Sequence, residues 1–428
     1  MMCRLLMLAA TISIFLPSGF AVHAGEQAEA LDVAATDWPW WRGPTRDGVA
    51  APGQAPPLQW SEDKNVLWKV PVPGRGHGSP TVVGDRIFLA TADEAAEIQS
   101  VICFDRNTGA QRWKTDVHRG GFASAGRQGH IRASKASSTV ASDGQRIFIN
   151  FINDNAVYLT ALSLDGEQLW QRKVSDYVMH QGYGASPALY GPLAIAAVDH
   201  HGGGALSAFD RVTGEPAWTH RRPENPNYTS PIILGIGGRD QLILTGCDLV
   251  SSFDPLTGAV NWEAEGATTE CVTSTVTDGE HVVTSGGYPS KHISVMRADG
   301  SGAVRWRNDT LVYVPSLLIR EGHLYAVNDN GDAICYELET GTVAWEHRLR
   351  AKFAASPVLV GDMIFAIADD GTTHIFKADP AGFAPVAENI LPADEVQATP
   401  AICGNRIYLR LALGKDAARQ EFLYCLGE

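Results

Sequence analysis

Glycine and tryptophan recur four residues apart at six places along the chain: Gly109/Trp113, Gly166/Trp170, Gly214/Trp218, Gly258/Trp262, Gly302/Trp306 and Gly341/Trp345. One spacing kept through six copies requires a repeated unit, so the chain must fold into something that stacks such units. Upstream of the Gly, four copies carry an acid at the same distance (Asp105, Asp210, Asp254, Glu337), and in the same copies Thr precedes the Gly (Thr108, Thr213, Thr257, Thr340). These residue types describe a turn. Asp accepts hydrogen bonds from backbone amides inside it, and Gly takes the positive φ that a hairpin reversal often needs. Trp, the side chain with the largest apolar area, is the knob by which one unit docks on the next.

The units also share a beginning. Ser79-Pro80, Ser186-Pro187, Ser230-Pro231, Ser356-Pro357 and Thr399-Pro400 open five of them, and Ser138-Thr139, Ser274-Thr275 and Val314-Pro315 are weaker versions. With origins at 80, 139, 187, 231, 275, 315, 357 and 400 the steps are 59, 48, 44, 44, 40, 42 and 43 residues. Each unit reads as apolar strand, Gly/Asp/Asn turn, second strand, third strand, Asp-x-x-Thr-Gly turn and Trp-bearing fourth strand. A period in the forties with four strands per unit predicts an all-β fold, a β-propeller of eight four-stranded blades. The 43 Gly and 23 Pro among 428 residues agree, since they exclude a long helical bundle.

The two ends predict how the ring closes. The last unit reaches Glu428 after its third strand, while Asn65 to Val70 (Asn-Val-Leu-Trp-Lys-Val) reads as a Trp-bearing fourth strand, with Trp68, that has no first three of its own. An N-terminal strand completing the last blade accounts for both and leaves no free sheet edge. The expected divisions are a secretory signal peptide over 1–24, a lead segment over 25–57 and the propeller over 58–428. The signal reading rests on Arg4, the apolar run that follows it, and the small residues Val22 and Ala24 before Gly25. That run is shorter than the roughly 20 residues a membrane span needs, and no later segment is long and apolar enough. An extracytoplasmic location, periplasmic or secreted, follows. In the lead, Trp38-Pro39-Trp40-Trp41 is expected to pack on the ring, with a ligand-stacking platform as the alternative. Cys103, Cys335 and Cys425 fall at similar points of different units, so the cysteines are expected as buried free thiols rather than a disulfide framework.

Cys103 to Trp113 and Ala208 to Trp218 match the motif Ala-x-Asp-x-x-Thr-Gly-x-x-x-Trp almost fully, and Ser252 to Trp262 and Cys335 to Trp345 closely. In this the chain resembles the pyrroloquinoline-quinone (PQQ) repeat family over about residues 58 to 428. The copy ending in Trp170 is one residue shorter, that ending in Trp306 lacks the aligned Asp, and the seventh unit (Ala378 to Leu391) has no Trp. The resemblance implies two functional classes. Quinoprotein alcohol and glucose dehydrogenases hold PQQ and usually Ca²⁺ on the axis, many with adjacent cysteines against the cofactor. This sequence has no Cys-Cys pair and no acid that aligns with the catalytic one. The other class is the non-catalytic scaffold, as in the BamB lipoprotein of outer-membrane β-barrel assembly; here Gly25, not a lipid-accepting Cys, follows the signal. The expected function is an exported, non-catalytic binding or protein-interaction scaffold without a cofactor, the alternative a divergent PQQ-dependent alcohol or sugar oxidoreductase with Ca²⁺.

In a propeller the loops into each blade's first strand, here called inlet loops, emerge at one end with the turns between second and third strands, and binding concentrates on such loops. The inlet loops carry Arg75, His77, Arg127, His130, Arg132, Lys135, His180, Tyr183 and Lys352, a candidate pocket for a small polar or anionic ligand, the alternative being solvated or loop-tethering side chains. The turns carry Asp93, Asn153-Asp154-Asn155, Asp199-His200-His201, Asp248, Asn328-Asp329-Asn330 and Asp369-Asp370; these residues tolerate tight turns, and no metal site is expected from them. Against 34 Lys and Arg stand 48 Asp and Glu, a net charge of −14, which argues against nucleic acid as a partner.

Overall fold

Burial is graded across each repeat, and that gradient makes a blade. In the first, the inner strand Thr81–Val83 is wholly buried, Arg86–Asp93 and Ile98–Asp105 are buried except at their ends, and the outer strand Gln111–Arg119 is half-exposed. Strands buried on both faces need continuous apolar runs, and Ile87 to Ala90 and Val101 to Phe104 supply them. The computed structural model describes residues 31–122, 133–415 and 418–428. The expected signal segment 1–24, Arg127, His130 and Arg132 lie outside the described residues. Eight four-stranded antiparallel sheets form the ring. Seven run in sequence order, and the eighth joins Ala401–Cys403, Arg406–Leu413 and Gln420–Leu426 to the N-terminal strand Val66–Val72, with Trp68 opposite Cys425 and Val72 opposite Glu421. Among the described residues no helix is long and apolar enough to cross a membrane.

The Gly and Trp of one motif do not meet each other; at five joints the Trp meets the motif Gly of the next blade. A Cβ on Gly109 would stand 2.7 Å from the Trp68 ring, on Gly166 2.8 Å from Trp113, on Gly214 2.7 Å from Trp170, on Gly258 2.4 Å from Trp218 and on Gly341 2.6 Å from Trp306. Gly is therefore required twice over, by this contact and by its φ of 69° to 89° at these five positions. The copy without the aligned Asp is displaced: Gly302 faces Ala264, and Gly300 meets Trp262. Several indole N–H groups complete the joint, Trp113 donating to Leu164 O (2.9 Å), Trp306 to Leu338 O (2.7 Å) and Trp345 to Asp379 O (2.8 Å).

Most of these tryptophans also face a small or slender neighbour on their own sheet, whereas Trp306 faces Val295. Cys103 lies opposite Trp113, Ala161 opposite Trp170, Ala208 opposite Trp218, Cys335 opposite Trp345 and Cys425 opposite Trp68, with a register shift beside each pair. The thiols at these places are buried and free, as are those of Cys247, Cys271 and Cys403. In the seventh blade Ala387 occupies the Trp register opposite Ile375. There Trp60, 4% exposed, joins the same hydrophobic cluster, its backbone N–H donating to Asn389 Oδ1 (2.9 Å).

Around the axis, among the described residues, a circle of hydroxyls links neighbouring blades at seven of the eight joints, all but that between Ser230 and Ser274. Ser79 N donates to Thr139 Oγ1 (3.0 Å), Thr139 N to Ser186 Oγ (3.0 Å), Ser186 N to Ser230 Oγ (2.8 Å), and Ser274 N to Ser316 Oγ (3.0 Å). Ser316 N then donates to Ser356 Oγ (3.0 Å), Ser356 N to Thr399 Oγ1 (3.0 Å) and Thr399 N back to Ser79 Oγ (3.0 Å). These bonds correct two unit starts: the equivalent of Ser79 is Thr139 rather than Ser138 in the second blade, and Ser316 rather than Val314 in the sixth. The hydroxyl, not the proline, sets the register, because an inner-strand N–H buried at the axis must find an acceptor.

Candidate functional site

The lead segment closes one end of the axial channel. Trp38 pairs with Val82, Pro39 O accepts from Ser142 N, and Val49 pairs with Leu359, all on inner strands beyond the hydroxyl circle. Between them Arg42, 0% exposed, donates to Asp47 O (2.5 Å), Leu317 O (2.6 Å) and Pro357 O (3.2 Å), so one guanidinium ties two neighbouring blades to the lead. Burial lowers its pKa to about 10, against a partial offset from Asp47. The lead tryptophans divide: Trp38 and Trp40 are buried, while half-buried Trp41 donates its indole N–H to Ser274 Oγ (2.7 Å) and faces the open end.

Above Trp41 lies a cavity of about 680 Å³, floored by that indole and by the hydroxyl-circle residues Thr139, Ser186, Ser230 and Ser356. Its walls are inlet loops, here Gln181 to Gly184, Tyr228, Glu270, Val272, Tyr313 and Gln397, with Gly287 and Tyr288 from a second turn. Several blades pin the inlet loop to their own second turn. Arg75 pairs through backbone with Ala92, Glu270 with Tyr288 and Glu395 with Ala412. Tyr313 N donates to Asp329 Oδ2 (2.8 Å), and Asp369 N to Lys352 O (2.8 Å). The turn acids therefore hold loops, and among the described residues no three His, Cys, Asp or Glu gather as metal ligands.

Of the sequence candidates, His77 and Tyr183 line this cavity. Tyr183 is anchored by its hydroxyl on Ala197 O (2.9 Å). His77 Nε2 lies 3.3 Å from Glu395 Oε1, and Arg75 lies 3.9 Å from both Glu395 and Glu94. Burial pushes the His77 pKa down, partly offset by Glu395. Burial alone would raise the Glu395 carboxyl, but His77, Arg419 and Arg75 hold it down to about 2. Lys135 and Lys352 are not in the wall: Lys135 Nζ sits 5.7 Å from the Phe122 ring, and Lys352 is exposed. His180 is half-exposed beside the wall, its Nδ1 2.8 Å from the Tyr228 hydroxyl and 3.6 Å from Glu270 Oε1, its ring meeting His201 edge-on at 4.9 Å. His200 turns the other way, where Nδ1 accepts from Val178 N (3.2 Å) and Gly202 N (3.0 Å).

Glu270, Tyr228 and Tyr313, in inlet loops without a repeated signature, are not among the sequence candidates, yet they converge on this cavity. Glu270 is 3% exposed, and its Oε2 has no hydrogen-bond partner among the described residues. Burial raises its pKa, against offsets from His201 and Tyr313, and burial beside Glu270 raises the Tyr228 and Tyr313 hydroxyls.

A family model described as outer membrane protein assembly factor BamB matches residues 97–309 and 289–381, and the chain belongs to this family of PQQ-like β-propellers. No curated protein matches it in sequence. Among solved structures it is similar to BamB from Moraxella catarrhalis, with 14% identity and a TM-score of 0.59 over 84% of this chain and 96% of that one. It is also similar to a europium-containing methanol dehydrogenase, with 11% identity and a TM-score of 0.65 over 92% of this chain and 98% of that one. A quinohemoprotein alcohol dehydrogenase from Comamonas testosteroni follows, with 12% identity and a TM-score of 0.63 over 92% and 81%. At such identities the likeness is one of fold, and it spans both functional classes.

Proposed function

We propose that this protein is an exported, non-catalytic binding scaffold, periplasmic or secreted, whose axial cavity and rim receive a protein segment or a small polar molecule. The carrying observation is the cavity itself: about 680 Å³, open at the inlet-loop end, backed by Trp41, with loops pinned in place before any ligand arrives. The family description, an outer membrane protein assembly factor, supports a protein partner.

The chemistry of the wall supports this reading over a quinoprotein oxidoreductase. PQQ is a polycarboxylate and needs cationic side chains around it, and Ca²⁺ takes six to eight oxygen ligands. The described lining side chains include no Lys or Arg, and their carboxylate, Glu270, would repel the quinone. The described residues do not fit that pair. The test is reconstitution of the purified protein with PQQ and Ca²⁺ followed by dye-linked oxidation of alcohols and sugars. No turnover is expected; sustained turnover abolished by chelation would overturn the scaffold reading. Co-purification under mild conditions then identifies what the rim holds.

A further inference from the structure

We infer that the axial cavity selects an alkylammonium group, held between the Glu270 carboxylate and the rings of Tyr228, Tyr288 and Tyr313. This rests on the reading of the cavity as the binding site and adds the charge of what it binds. A carboxylate buried to 3% exposure is retained at a cost unless something satisfies it, and Glu270 Oε2 lacks a partner among the described residues while lining a cavity wide enough for a ligand. Three tyrosines line the same cavity. The ring face of an aromatic carries negative charge, so a carboxylate with several rings makes a cage for a cation with an apolar envelope. The wall thus favours the sign opposite to the one that the basic inlet residues suggest.

The cage is built rather than incidental. Glu270 N donates to Tyr288 O (3.2 Å), and Thr268 Oγ1 donates to the same carbonyl (2.8 Å), which fixes the two cage loops against each other. Gly287 leaves room for Tyr313: a Cβ there would stand 2.5 Å from that side chain. Tyr288 is 57% exposed at the rim, as a ring that closes on an arriving ligand needs to be. His180, 3.6 Å from Glu270 Oε1, borders the site without filling it.

The alkylammonium can be a free amine or the lysine side chain of a protein partner; the chemistry is shared. Isothermal titration of the mature protein with choline, cadaverine and a lysine-containing tripeptide, against 3,3-dimethylbutan-1-ol as a neutral isostere of choline, measures the selection. A cationic probe should bind saturably, about tenfold or more tighter than the neutral isostere. Glu270→Gln should weaken it about tenfold or more with an unchanged melting temperature, and Tyr288→Ala, at the rim, should weaken it several-fold. Tighter binding of cadaverine than of the tripeptide assigns a free amine, and the reverse assigns a partner's lysine. Equal binding of the neutral isostere, or indifference to Glu270→Gln, overturns the inference. Neutral sugars and dicarboxylates are titrated in parallel. If they bind, sensitive to Tyr288→Ala, while cations do not, the cationic selection fails and the binding cavity stands. If no probe binds up to about 10 mM, both fail.

Discussion

Replacing Arg42 by Met tests whether the lead segment is part of the fold or an appendage to it. The side chain is 0% exposed and donates to Asp47 O, Leu317 O and Pro357 O at 2.5, 2.6 and 3.2 Å. Hydrogen bonds from a charged group contribute about 1.5–3 kcal/mol each, so three come to about 5–9 kcal/mol. Against this, burial lowers the Arg42 pKa from 12.5 to about 10, so removing the cation returns about 3 kcal/mol. The net expectation is a loss of about 2–6 kcal/mol, in the range seen when one partner of a buried charged contact is deleted. Met fills most of the volume, which limits the added cavity term. Equilibrium urea unfolding, followed by circular dichroism and tryptophan fluorescence together, measures the change. Arg42→Lys should fall between, because one ammonium does not span carbonyls on two blades as the guanidinium fork does. A global unfolding free energy within about 0.5 kcal/mol of the parent for Arg42→Met, with an unchanged denaturant slope, would refute the reasoning and make the lead a detachable strap.

Gly214→Ala should destabilise by about 2 kcal/mol or more, because the new Cβ would stand 2.7 Å from Trp170 at a φ of 73°; a neutral result in urea unfolding would show that the joint can slide. Ser186→Ala removes the acceptor for the buried N–H of Thr139 and should cost about 1–3 kcal/mol, whereas Ser186→Thr should recover most of it, since Thr139 and Thr399 already serve in the circle. His292 is 0% exposed and its pKa is lowered to about 4, by burial first and Arg307 second. A depressed folded pKa means stability present above about 6.5 and lost as the pH falls toward 4, while the unfolded chain binds a proton that the folded chain refuses. His292→Leu should therefore flatten the acid limb of a stability–pH curve by about 3 kcal/mol at most, and an unchanged limb would show that other groups carry it.

Much of the ring was legible because its determinants are local. Turn, strand and knob are written inside about forty residues and repeated, so blade number, strand number and closure by Val66–Val72 follow from spacing alone. Two unit starts were misread because Pro and Ser mark the same place in most blades but part company at Thr139 and Ser316, and only the hydrogen-bonded circle distinguishes them. The site was far less legible. Its inlet loops were located, yet the basic residues that draw the eye are paired, exposed or outside the described residues, while the carboxylate and tyrosines that converge sit in loops without a repeated signature.

The sequence by itself determined the repeat, the joint between blades and the closed ring, because each is enforced by contacts of fixed local geometry: a Gly that must lack a Cβ, a Trp that must dock, an edge that must pair. Only the tertiary structure decided what occupies the axis. There Trp41 meets Ser274, Arg42 joins Leu317 to Pro357, and Glu270 faces the cavity lined by Tyr228 and Tyr313. These neighbours are far apart in the chain, and no spacing rule relates them. Their meeting is a consequence of closure: bending eight sheets into a circle brings every inlet loop to one point, where residues unremarkable in sequence come to share one cavity.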